Sequence, residues 1–150
     1  MKAAAHLTVV AEDNEPDVFL IRESLDQAAL NYQLQAIDDG DEVLRFVDRL
    51  EADESAPLPD VILLDLNLPK RSGNEILAHL RKGRRCATVP VIVMSSSDSA
   101  EDQALAHASG ASAYFRKPAY LEQFMEIGGL VRSLIFGAGA NAAWRDKECR

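Results

Sequence analysis

The chain has 150 residues, which at roughly 100–200 residues per domain means one domain. Apolar residues make up 47% and charged residues 27%, and 16 Lys plus Arg against 24 Asp plus Glu leave a formal charge of −8. That balance excludes the electrostatic footprint of nonspecific DNA binding, and an anionic membrane surface would repel it.

Leu7 to Ala11 is an apolar run that ends at Glu12-Asp13. The two acids interrupt it early, so it reads as a buried strand and not as a secretory signal. Asn14 is a helix cap, with Pro16 in the first turn and Asp17 three residues on. Val18, Ile21 and Leu25 then recur at helical spacing. Tyr32, Leu34 and Ala36 alternate with glutamines, as in a strand near a sheet edge. Asp38-Asp39-Gly40 is a turn signal, and Val43, Phe46, Val47 and Leu50 form a helical stripe. Residues 51–59 are polar and punctuated by proline, hence a loop.

Val61 to Leu64 has no polar alternation, which fits a strand buried on both faces. It is also the longest aliphatic run, far below the ~18 residues a membrane span needs. Ile76, Leu77 and Leu80 mark a helix, and Val91 to Met94 a second fully buried strand. Ala104, Leu105 and Ala108 predict a short helix closed by Gly110. Ala113 to Arg116 is a last strand, stopped by Lys117-Pro118. Leu121, Phe124, Ile127, Val131 and Leu134 line one final helix, which Gly128-Gly129 should weaken locally. The two cysteines, Cys86 and Cys149, have no metal-ligand spacing, and a reducing cytoplasm fits them. His6, His79 and His107 are scattered and read as surface or hydrogen-bonded residues.

Strands alternating with helices predict an α/β fold with a parallel sheet covered on both faces. Chemistry in such sheets sits beyond the carboxyl ends of the strands. Those ends carry Glu12-Asp13, Asp65, Ser95 and Lys117. Three carboxylates in one pocket would raise one another's pKa unless a divalent cation resolves the conflict. All-oxygen ligation suits Mg²⁺ or Mn²⁺. Such a pocket suits a phosphoryl group: cation and Lys117 neutralise its oxygens, Ser95 donates a hydrogen bond, and Asp65 attacks phosphorus in line. Spacing by itself does not separate Ser95 from its neighbour Ser96.

This constellation resembles the receiver domain of two-component response regulators. The resemblance rests on VVAEDN at 9–14, LLDLNLPKRSG at 63–73, VPVIVMSSS at 89–97 and GASAYFRKP at 110–118. It implies a flavodoxin-like (βα)5 three-layer sandwich with sheet order 2-1-3-4-5. It implies Asp65 as phosphoacceptor and a Mg²⁺ site of Asp13, Asp65, the Asn67 backbone carbonyl and Glu12, the last directly or through water. Lys117 would pair with Asp65 and then with the phosphoryl oxygens. The resemblance selects Ser95 as the switch hydroxyl and Tyr114 as the aromatic switch, although Tyr114 also reads as a surface strand residue. Pro69 and Gly73 match the turn after the phosphoacceptor. Lys117-Pro118 would carry a cis bond.

The implied function is a response regulator that accepts phosphate from a sensor histidine kinase and switches protein–protein interactions. It is not an enzyme beyond its own phosphotransfer and slow autodephosphorylation. A phosphorelay intermediate is the near alternative. A haloacid-dehalogenase-like phosphatase needs a second acid where this chain has Asn67. A flavodoxin-like electron carrier needs a phosphate-cradling loop after the first strand, which is absent from the sequence. LIRE at 20–23, the 51–59 loop, DLNLP at 65–69 and the last helix resemble the small receivers paired with bacterial phytochromes. That resemblance implies a photoreceptor histidine kinase of phytochrome type as phosphodonor. Residues 1–136 form the receiver, and residues 137–150, with Trp144, an extension that would build a homodimer with the last helix.

Overall fold

A computed structural model describes residues 5–137. The chain runs β1 (His6–Ala11), α1 (Glu15–Gln27), β2 (Tyr32–Ile37), α2 (Gly40–Ala52), β3 (Val61–Asp65) and α3 (Gly73–Lys82). A 3-10 turn (Cys86–Thr88) leads to β4 (Val91–Ser95), α4 (Ala100–Ala108), β5 (Ala113–Arg116), α5 (Leu121–Phe124) and α6 (Glu126–Phe136). The five strands are parallel in the order β2-β1-β3-β4-β5. This is the flavodoxin-like arrangement expected from the sequence.

The unbroken apolar strands are two interleaved faces. Val9, Ala11, Ile62, Leu64, Val91 and Val93 pack with α2 and α3 on one side. Val10, Val61, Leu63, Ile92 and Met94 pack with α1, α5 and α6 on the other. Successive side chains of a strand point to opposite faces, so a strand covered twice has no polar position left. β2, at the edge, keeps the exposed glutamines that marked it as such.

Caps fix the helix starts. The Asn14 side chain accepts the Asp17 N–H at 3.0 Å, and the Asp39 side chain accepts that of Glu42 at 2.8 Å. Each satisfies an amide that has no partner within its helix. The α2–α3 side is further tied by arginines. Arg85 donates to the carbonyls of Leu50, Asp53 and Ala56, closing the end of α2. Arg81 donates to those of Gly110, Ala87 and Val89.

Some expectations are corrected. α4 forms, but Leu105 is exposed and Ala106 is the buried residue. An alanine-rich helix has little contrast between its faces, so its apolar spacing does not report which side is covered. The last helix is broken at Met125 into α5 and α6, and Leu121 lies exposed on the first piece. Gly128 sits inside α6, buried against Ser24 of α1. No cis peptide bond occurs among the described residues, so Lys117–Pro118 is trans, the isomer favoured by about 0.5–1 kcal/mol. The extension carrying Trp144 and Cys149 lies outside the described residues, apart from Gly137.

Candidate functional site

Parallel pairing delivers the predicted residues to one edge. Ala11 pairs with Leu64, Asp65 with Met94 and Ser95 with Arg116. Glu12 and Lys117 follow directly on the paired Ala11 and Arg116, which brings them to the edge that holds Asp65 and Ser95. The Lys117 N–H donates to the Ser95 carbonyl at 2.7 Å, fastening the ends of β4 and β5. After β3 the chain turns sharply, with Lys70 at φ 72°. A Cβ on Gly73 would lie 2.7 Å from the Leu66 Cα and 2.8 Å from the Asp65 carbonyl oxygen. Only glycine lets α3 begin this close to the Asp65 backbone.

Lys117 Nζ is the hub. It lies 2.6 Å from Glu12 Oε2, 2.8 Å from Asp17 Oδ2 and 2.8 Å from Asp65 Oδ2. Asp65 Oδ1 accepts the Asn67 N–H at 2.8 Å. Carboxylate oxygens of Glu12, Asp13 and Asp65 all lie within 4.8 Å of one another. Glu12 and Asp65 are buried and Asp13 is exposed. Glu12 and Asp13 border a groove of about 750 Å³, also lined by Phe19, Arg22 and Asp39.

Burial, the adjacent Asp65 carboxylate and the cost of two charges in one site push Glu12 up to about 7. Asp65 moves the other way. Burial opposes its ionisation, but hydrogen bonds from Glu12, Lys117 and the Asn67 N–H hold it below the ordinary aspartate value. Burial likewise opposes the Lys117 charge, and Asp17, Asp65 and Glu12 outweigh it, so its pKa is raised. The result is an ionised Asp65 beside a lysine that stays charged.

Of the two neighbouring hydroxyls, Ser95 is buried and Ser96 exposed. Ser95 Oγ accepts the Ser97 N–H at 3.1 Å, and the Tyr114 hydroxyl donates to the Ser97 carbonyl at 3.0 Å. Tyr114 is therefore an inward-facing residue, not a surface one. Ser97 is held from both sides by the two residues the sequence marks as a switch.

Sequence reading missed Asp17, whose helix-capping position already accounted for an acid there. The histidines stand apart from the pocket: His79 pairs with Asp48 at 2.8 Å, His6 with Asp60 at 3.9 Å, and His107 is exposed on α4. Cys86 is buried, and burial, then Glu51, push its thiol up to about 11. The carboxylate set fits a hard divalent cation, being all oxygen and carrying more negative charge than one lysine offsets. No helix among the described residues is long and apolar enough to cross a membrane.

A doubly wound sheet with an aspartate, a lysine and two acids converging at its carboxyl edge defines a class. This chain belongs to the response regulator receiver domain family, whose sequence profile matches residues 8–127. It is 29% identical over 119 residues to the response regulator Rcp1 of Synechocystis sp., covering 79% of this chain and 81% of that protein. The phosphorylated cyanobacterial phytochrome response regulator RcpA superposes with a TM-score of 0.74 at 33% identity, over 83% of this chain and 89% of that one. The Mn(2+)-bound form of Rcp1 gives a TM-score of 0.73 at 28% identity, over 82% and 88%.

Proposed function

We propose that this receiver takes a phosphoryl group on Asp65 from a phosphohistidine of a sensor histidine kinase and thereby switches its protein contacts. The observation that carries the reading is Lys117 Nζ within 2.8 Å of Asp65 at the end of β3. Glu12, Asp13, Asp65 and the Asn67 carbonyl would hold Mg²⁺ or Mn²⁺, which supplies positive charge to the phosphoryl oxygens when bound. An Asp65 carboxylate oxygen attacks phosphorus in line. The O–P bond forms, the P–N bond to the kinase histidine breaks, and the imidazole leaves with the electron pair and takes up a proton. Lys117 keeps its charge and turns N–H bonds to the phosphoryl oxygens. The Ser95 hydroxyl gives up Ser97 and donates to the same group, and Tyr114 follows the released β4–α4 loop.

The kinase is of phytochrome type, which similarity to the phytochrome response regulator RcpA supports, and the protein acts in the cytoplasm. Residues 137–150 act as an extension of the 1–136 receiver, joining α6 in a homodimer. Phe136 is exposed at the end of α6, which supports a contact there. The test is phosphotransfer from candidate phytochrome kinases to the wild type and Asp65→Asn, with and without Mg²⁺. Labelling is expected only for the wild type with Mg²⁺, and label persisting on the Asn variant would refute the mechanism. Light scattering on the whole chain and on a chain ending at 136 tests the dimer.

A further inference from the structure

An ammonium has three N–H bonds to give, and Lys117 gives all three to carboxylates: Glu12 on β1's end, Asp17 on α1 and Asp65 on β3. Two of these acceptors, Glu12 and Asp65, also belong to the set whose oxygens converge with Asp13. Asp17 is outside that set. The lysine therefore shares two partners with any cation the pocket takes, and has one of its own.

We propose that Asp17 is the positioning residue for Lys117: it retains the ammonium beside Asp65 when Glu12 is given over to a divalent cation. The inference rests on the reading that the pocket takes such a cation. An ammonium and a metal ion on the same oxygens repel each other. The Lys117 side chain is only 15% exposed, so an ammonium released by Glu12 has little water to turn to. Leaving a charge of this kind poorly paired is costly, and a second carboxylate removes the cost. Asp17 is held ready for the task. Its N–H bonds the Asn14 cap at 3.0 Å, and an acid in the first turn of a helix is favoured by the exposed amides there. Without Asp17 the lysine concentrates on Glu12 and Asp65, the pocket loses a negative charge, and both changes oppose cation binding.

Mn²⁺ titration of the whole chain, read as loss of the free-ion electron paramagnetic resonance signal, tests this without any phosphodonor. Four proteins are compared: wild type, Asp17→Asn, Asp17→Glu and Glu15→Gln, the last removing an exposed acid from the same helical turn. Asp17→Asn should bind on the order of tenfold more weakly, the effect of losing one partner of a close charge pair. Asp17→Glu should recover most of the affinity, and Glu15→Gln should stay within about twofold of wild type. Asp17→Asn binding as tightly as wild type overturns the proposal. So does a Glu15→Gln loss of equal size, which would reduce Asp17 to general charge. A wild type that binds no Mn²⁺ overturns the cation reading itself, a different result from either.

Discussion

Gly128 of α6 lies against Ser24 of α1 so closely that a Cβ on the glycine would stand 2.3 Å from the Ser24 carbonyl oxygen. Ser24 Oγ accepts the Gly128 N–H at 2.7 Å and donates to the Met125 carbonyl at 2.6 Å. One hydroxyl thus stitches the break between α5 and α6 to the first helix. Gly128→Ala should cost about 2 kcal/mol by overpacking. The neighbouring Gly129 has nothing within 4 Å of a built Cβ. There the same change should stabilise the helix by about 0.5–1 kcal/mol. Urea denaturation of the two variants checks the opposite signs.

Glu51 works similarly at the end of α2. Its carboxylate accepts the backbone N–H groups of Arg84, Arg85 and Cys86 at 2.7–3.0 Å. These bonds, that of Arg85 foremost, hold its pKa down to about 2. A carboxyl held lower in the folded chain than in the unfolded one contributes stability above its ordinary value of 4.5 and loses it as pH falls towards 2. Glu51→Gln should therefore be less stable than wild type at neutral pH. The gap between the two proteins should close on acidification through that window. A gap that stays constant with pH would show that the charge is irrelevant.

Much of this was legible because a parallel sheet converts strand ends into a common edge. Asp65 and Lys117 needed only the apolar run before each and the topology that joins them. Asp17 was hidden by sufficiency: an acid in a first helical turn needs no further reason, and its bond to Lys117 spans 100 residues. Arg81 and Arg85 answer carbonyls left open by helix ends and by the 3-10 turn, which have no period to read. Leu105 looked like core because exposed leucine on an alanine-rich helix leaves the same spacing as buried leucine. The break at Met125 depends on Ser24, far away in the chain.

Ser97 is bonded on both sides, by Ser95 at its N–H and by Tyr114 at its carbonyl. Tyr114→Phe keeps the ring in the core and removes one bond, so it should cost about 1 kcal/mol. Ser95→Ala should cost a similar ~1 kcal/mol by freeing the Ser97 amide. Because the two bonds constrain one residue, their losses should not add. A double-mutant cycle by chemical denaturation should return a coupling of about 0.5–1 kcal/mol. Simple additivity would mean that Ser95 and Tyr114 do not communicate through Ser97 in this state.

The raised pKa of Glu12 makes the cation-free protein sensitive to pH around neutrality. Burial and Asp65 push the group from 4.5 to about 7 in the folded chain. An acid whose folded pKa is raised favours the fold fully below 4.5 and loses that contribution as pH climbs through 7. The cation-free wild type should accordingly lose on the order of 1–3 kcal/mol relative to Glu12→Gln across that interval. The amide is uncharged at every pH and retains an oxygen for Lys117. Thermal melts in chelator at pH 5 and pH 8 supply the comparison: near parity at the lower pH, and the glutamine variant ahead at the higher. Adding millimolar Mg²⁺ at pH 8 should reverse the order, because only the wild type offers a Glu12 carboxylate to the cation. Equal responses of the two proteins to Mg²⁺ would remove Glu12 from the ligand set.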